Sequence, residues 1–221
     1  ANNGAHSVFL AKCAAAKNAR LICLEPQSVL LQNLCANLAL NGLTNVETHL
    51  VACAEQRQKM VFAEPNYALP GDFGAVFMSM NKVENQQTSA STQNWREVSA
   101  ISLDELLGKT KVALLKIKID GALLGILRGA KELIKRDCPI LYLKNEVPEN
   151  SPALIEFLWQ KKYRVYWHFP TLFNANNFLE NHYNRFGSAV SCNMLCVPEG
   201  VLTPKGDLFL VENAAAHPLK P

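Results

Sequence analysis

Short apolar runs alternate along this chain with longer segments of helical period, and that alternation predicts a sheet of parallel strands covered by helices on both faces. Residues 5–17 are rich in alanine and read as a helix. A short buried strand over 20–24 follows, then a helix over 27–41 whose apolar stripe is Leu30, Leu31, Leu34 and Leu38. Asn41-Gly42 should end that helix, because glycine accepts the left-handed conformation of a helix terminus without steric cost. Strands are expected over 46–51 and 59–63. Residues 64–94 mix Pro, Gly, Asn, Gln and Ser without periodicity and read as a long loop, for which a lid over a site is one purpose.

Past the loop, residues 98–101 are an expected edge strand, 103–107 a short helix opened by Ser102, and 112–117 the best buried strand in the chain. The end of that last strand should face a site, since ligands of open α/β sheets bind outside the carboxyl ends of the strands. A helix over 123–135, a strand over 139–143 and a helix over 151–161 continue the alternation, the last with Ser151 as N-cap and Pro152 in its first turn. The strands 163–168 and 189–197 are joined by residues 170–187, which lack a crossover-helix pattern, so antiparallel pairing is expected there. Residues 1–198 read as one domain and 199–221 as a peripheral tail.

Composition narrows the function classes. The 221 residues suffice for one sizeable core, and Lys plus Arg (22) exceeds Asp plus Glu (19) too slightly to call for a nucleic-acid partner. Seven cysteines, odd in number and dispersed mostly in apolar runs, read as small buried hydrophobes of a reducing compartment. Cys192 and Cys196 lack the paired ligand clusters of a zinc site, and the five histidines show no ligand spacing, so no metal is expected. No stretch approaches the ~20 apolar residues of a membrane span and no signal core opens the chain, which leads to the expectation of a soluble cytoplasmic protein. Trp167, His168 and Phe169, with Phe173, Phe178 and Tyr183, are candidates to rim an acceptor pocket.

The chemistry is concentrated near the start. Residues 1–7, Ala-Asn-Asn-Gly-Ala-His-Ser, form a turn followed at once by a helix, and Leu24-Glu25-Pro26 ends a strand about twenty residues later. In a doubly wound fold, a glycine turn lets backbone approach a nucleotide-like cofactor, while an acid at the end of the second strand accepts hydrogen bonds from ribose hydroxyls. A nicotinamide-dependent oxidoreductase would show a full Gly-x-Gly-x-x-Gly, which is absent.

Further motifs stand in order: Asn41-Gly42-Leu43-Thr44-Asn45-Val46, Lys116-Ile117-Lys118-Ile119-Asp120-Gly121 and Leu127-Arg128-Gly129-Ala130. With the opening turn and Glu25-Pro26, this set resembles the FkbM family of methyltransferases from residue 1 to about Pro198. The resemblance implies a class I methyltransferase, Rossmann-like α/β three-layer sandwich, with a mostly parallel seven-stranded sheet and an antiparallel C-terminal strand. It implies S-adenosylmethionine as cofactor, with Asn2, Gly4, Ala5 and His6 toward its methionine end, Glu25 and Pro26 at the ribose, and Ala52 and Cys53 at the adenine. The implied reaction is methyl transfer to a hydroxyl oxygen of a small molecule or sugar. In that family a hydrophobic strand precedes the opening loop; this chain begins inside the loop, and residues 206–211 are a candidate for that strand in permuted order.

The family's acids are altered. Lys118 stands where the family has Asp, Asp120 where it has Glu, Leu123 where Glu is common, and Lys144 where the next strand usually ends in Glu. Asp120 and Lys118 are the catalytic candidates by position. A protonated Lys118 cannot accept a proton, and at ~6 Å and an effective dielectric of ~20 it would repel a sulfonium by roughly 3 kcal/mol. Either the lysine is depressed enough to act as a base, or the domain is a degenerate, non-catalytic cofactor-binding module. Plainer roles are open too: Lys118 paired with Asp120 or Glu25 at a strand end, Asp120 as a helix N-cap, and His6 exposed on a loop.

Overall fold

The computed structural model describes residues 1–69, 71, 73–75, 94–119, 121–177, 179–201 and 203–220. It divides into two units, Ala1–Ser102 and Leu103–Pro221. In the first, α1 (Ala5–Ala15), β1 (Leu21–Leu24), α2 (Ser28–Leu40) and β2 (Val46–His49) follow one another. β1 and β2 pair in parallel, Leu21 opposite Val46 and Leu24 opposite His49. The apolar stripe of α2 meets α1 and β1 in a small core of Ala11, Cys23, Leu34 and Leu38. Gly42, at φ +64, ends α2 as its sequence requires.

The expected strand over 46–51 ends at His49, and Ala52–Cys53 (β3) enters a second sheet with β4 (Gln58–Ala63) and β5 (Trp95–Ile101), in the order β3-β5-β4. β5 is therefore longer than the edge strand expected over 98–101, and it is central. Burial of Val98 and Ala100 against Ala52, Ala54 and Phe62 explains its position. Of the expected long loop, Phe73–Ala75 form a 3-10 turn. A lid made by residues 76–93 lies outside the described residues.

The second unit comprises α3 (Leu103–Leu107), β6 (Leu114–Ile117), α4 (Leu123–Arg128), α5 (Lys131–Asp137), β7 (Ile140–Lys144), α6 (Ser151–Gln160), β8 (Tyr163–His168), β9 (Asn193–Pro198) and β10 (Leu208–Leu210). Its sheet runs β10-β8-β9-β7-β6. Alternation puts Leu141, Leu143, Val165, Met194 and Cys196 on a fully buried face. The other face carries Lys116, Tyr142, Leu195 and Tyr166 in one cross-strand row.

Several expectations are corrected. The described strands form three sheets rather than one of seven strands, with three parallel pairings and four antiparallel ones; the antiparallel β8–β9 pair is as expected. The strand read as best buried is an edge strand, with Leu114 48% exposed, because only β7 pairs with it among the described residues. The helix over 123–135 is two helices. The Asp104 carboxylate accepts the Glu132 and Leu133 N–H groups and so caps α5 from outside, while the Asp104 N–H donates to the Gly129 carbonyl. Ser151 lies inside α6 after an Asn150 N-cap, and its hydroxyl accepts from Asn145 Nδ2. β10 lies beside β8, at the sheet edge opposite β6, so residues 206–211 do not supply a first strand. Cys13, Cys35 and Cys138 are exposed rather than buried.

Beyond β10 the chain is anchored by His217, which is buried. Its Nδ1 accepts the Leu219 N–H, so the proton sits on Nε2 and is donated to the Asn145 carbonyl. Among the described residues no helix is long and apolar enough to cross a membrane.

The turn from α5 into β7 yields a pH prediction. Arg136 donates to both Asp137 oxygens, to the Gly108 and Thr110 carbonyls as well, and Val112 N–H adds a bond to Asp137 at 2.9 Å. These contacts, the arginine first, hold the Asp137 carboxyl down at about 2. A carboxyl lowered in the folded state gives stability that is full above its ordinary value near 4 and is lost as pH falls toward 2. Calorimetric melts between pH 5 and 2 should therefore lose less in Asp137→Asn than in the parent. Equal slopes would mean that this contact does not survive in solution.

Candidate functional site

β1 delivers Glu25 to the end of its strand, where the Glu25 N–H donates to the His49 carbonyl and extends the parallel ladder by one bond. The side chain is 5% exposed, yet its charge is well solvated by backbone. Oε2 accepts the Asn2 N–H at 2.6 Å and the Ala1 nitrogen at 3.2 Å, and Oε1 accepts the Gln27 N–H at 3.0 Å. The Ala1 nitrogen also donates to the Leu24 carbonyl. A single carboxylate thus ties the opening loop to the strand end and to the entry of α2.

The loop is shaped from its other side as well. Asn2 takes φ 56 and its Oδ1 accepts the Asn3 N–H, while Asn37 Nδ2 on α2 donates to the Asn3 carbonyl at 2.7 Å. Gly4, at φ +92, opens α1, and a Cβ placed on it would lie 2.7 Å from Leu34 Cδ1. Ala5 and His6 are exposed in the first turn of α1, so His6 stands on a helix rather than on a loop.

Gln27, Tyr67 and Phe73 extend the site and were not expected from sequence. Gln27 is buried; its Nε2 donates to the Phe73 carbonyl at 2.8 Å and its Oε1 accepts the Tyr67 hydroxyl at 2.9 Å. The Tyr67 and Phe73 rings lie 5.1 Å apart. Burial, then Glu64 and Glu25, raise the Tyr67 hydroxyl above its ordinary pKa, which keeps it a donor. Ala52 is buried, and burial pushes the Cys53 thiol up to about 11, which keeps it protonated and not a nucleophile. Pro26 simply continues the chain from Glu25 to Gln27.

The remaining candidates belong to the second unit. Lys118 is exposed just past β6, Asp120 lies outside the described residues, and the N-cap of α4 is Ala122. Leu123 is buried, 6% exposed, in place of an acid. Lys144 Nζ pairs with Glu146 at 2.8 Å. The desolvated lysine is Lys116: its Nζ sits 5.9 Å from the Tyr142 ring centroid, and burial, then Lys118, lower its pKa. The Tyr142 hydroxyl in turn shares a 2.8 Å bond with His168 Nδ1. His168, Phe169 and Phe173 line a cavity as their sequence suggested, whereas Trp167 is buried behind Phe169 and Phe178 lies outside the described residues.

Against known families, the model of the methyltransferase FkbM domain matches residues 1–166. The chain belongs to the FkbM methyltransferase family. A crystal structure of methyltransferase FkbM from Methylobacillus flagellatus KT is similar in fold, with a TM-score of 0.52 at 13% identity over 88% of this chain. The matched part is 42% of that longer chain, so this sequence spans about two-fifths of its length. No curated protein matches the sequence.

Proposed function

We propose that this chain is an S-adenosylmethionine-dependent methyltransferase that methylates a hydroxyl oxygen of a small molecule or sugar. In this reading residues 1–198 form the methyltransferase-like domain, and 199–221 are its tail. Seven cysteines without a disulfide support a cytoplasmic location. The carrying observation is the buried Glu25 carboxylate, fixed by loop and helix-entry N–H groups.

Those residues fit a nucleoside. A carboxylate has about four acceptor positions; the Asn2 and Gln27 N–H groups and the Ala1 nitrogen use three of them, which holds Glu25 in place and leaves one acceptor position for a hydroxyl. The Tyr67 and Phe73 rings offer an apolar surface to a flat heterocycle, and the exposed Asn2, Asn3 and His6 offer polar groups to a zwitterionic end. When bound, the cofactor supplies a methyl on a sulfonium that an oxygen can displace in line. The chain's part is to hold Glu25 immobile; Asp120, outside the described residues, is the proton acceptor that the family resemblance implies.

A titration of the full chain with S-adenosylmethionine, its demethylated product and NAD tests the cofactor reading. Binding of the first two without NAD is expected; binding of none removes it. The second reading, a module that binds without turnover, is favoured by Lys118 and by the Lys144–Glu146 pair, which consumes the charge of Glu146. Restoring acids in K118D/K144E should tighten the sulfonium form over the neutral product by about fivefold or more. A fall in that ratio would overturn the charge argument, and transfer of labelled methyl by the parent would dispose of the module.

A further inference from the structure

A cavity of about 680 Å³ opens in the second unit, beyond residue 166 where the family match ends. Its walls come from the chain following β8 and from β10. Three apolar rings, Phe169, Phe173 and Phe209, stand among the carboxamides of Asn174 and Asn184 and the carboxylate of Asp207. Phe169 and Phe209 lie 5.9 Å apart at 44°, and Trp167 stacks behind Phe169 at 6.3 Å and 18°, so that ring is held in place. Phe209 is 59% exposed, an aromatic face offered to solvent on a strand whose register places it opposite Trp167.

The amides are oriented in advance. Asn174 Oδ1 accepts the Asn176 N–H; Asn184 Oδ1 accepts the Phe186 N–H, and its Nδ2 donates to the Gly187 carbonyl. Each carboxamide keeps an N–H and a lone pair for a ligand. Among the described lining residues there is no lysine or arginine, and the Asp207 carboxylate would repel an anion.

We propose that this cavity binds a neutral, polyhydroxylated ring of monosaccharide size. Such a ring presents C–H faces to the phenylalanines and hydroxyls to amide and carboxylate groups, and the volume falls within the range of small-molecule sites. Its use as the methyl acceptor's site rests on the methyltransferase reading; binding itself does not.

The test titrates the full chain, by calorimetry, with the methyl α-glycosides of glucose, mannose and galactose, with glucuronate, and separately with S-adenosylmethionine. At least one glycoside should saturate with a Kd below about 10 mM. Phe209→Ala, a change at an exposed strand position, should weaken it about fivefold without altering the melting temperature. Glucuronate should bind at least about fivefold more weakly than the glucoside, and Asp207→Asn should narrow that gap. Saturation by no glycoside, parental affinity in Phe209→Ala, or equal affinity for glucuronate overturns the proposal. Glycoside binding without cofactor binding leaves the cavity assignment standing and removes the cofactor reading; the reverse result removes the cavity assignment alone.

Discussion

Glu25→Gln is expected to abolish measurable S-adenosylmethionine binding and to lower the melting temperature by about 5–10 °C. The substitution keeps the volume and replaces one acceptor oxygen by an NH₂ group. Whichever way the amide is turned, donors then face each other: the Asn2 N–H and Ala1 nitrogen on one side, or the Gln27 N–H on the other. Leaving a buried donor unsatisfied costs about 1–3 kcal/mol, and bonds to a charged acceptor lie at the upper end. Affinity should suffer more than stability, at least about a hundredfold, because the loop that Glu25 holds is itself part of the site. The measurement is a titration at a temperature where circular dichroism shows the variant folded. Retained affinity would mean that the acid serves the chain alone and no ligand.

What could be read in advance divides along the range of the interactions. β8 has the bounds its alternation predicted, Tyr163–His168, because one face packs on the core and Lys162, at φ 63, turns the chain just before it. α2 stops where Asn41-Gly42 places the stop. The split between α4 and α5 was hidden, since Gly129 keeps a helical φ of −73 and the new helix is capped by Asp104, which belongs to α3. β5 looked like an edge because Arg96 and Glu97 are polar, and only its partners, β4 along residues 95–100 and β3 at Ala100 and Ile101, reveal that it is paired on both sides.

The site follows the same rule. Glu25 and Gly4 stand in motifs with local signatures, whereas Gln27 meets Tyr67 and Phe73 from an aperiodic segment that carries no period to read. At β6 the sequence drew attention to Lys118 as the odd charge. The structure makes its neighbour two residues earlier, Lys116, the desolvated one, since the ring of Tyr142 on β7 covers it.

Gly4→Ala should destabilise the first unit by about 3 kcal/mol, from two separable causes. The backbone at φ +92 costs an L-residue about 1–2 kcal/mol. The new methyl would also meet Leu34 Cδ1 at 2.7 Å, and Leu34 is fully buried in the α1–α2 core, so it has no solvent to move into. Shortening that partner separates the causes. Leu34→Val alone should cost about 1 kcal/mol, and in Gly4→Ala/Leu34→Val the steric part should disappear, so that the double variant is more stable than the sum of the singles by about 1 kcal/mol or more. Strict additivity in denaturant melts would show that the dihedral alone demands glycine and that the contact with Leu34 is slack. Because α1 starts at this residue, the displaced turn would also carry the Asn2 N–H away from Glu25. Cofactor affinity in Gly4→Ala should therefore fall with stability and recover in part with the Leu34 change, a correlation expected only if the glycine shapes the loop rather than touching the ligand itself.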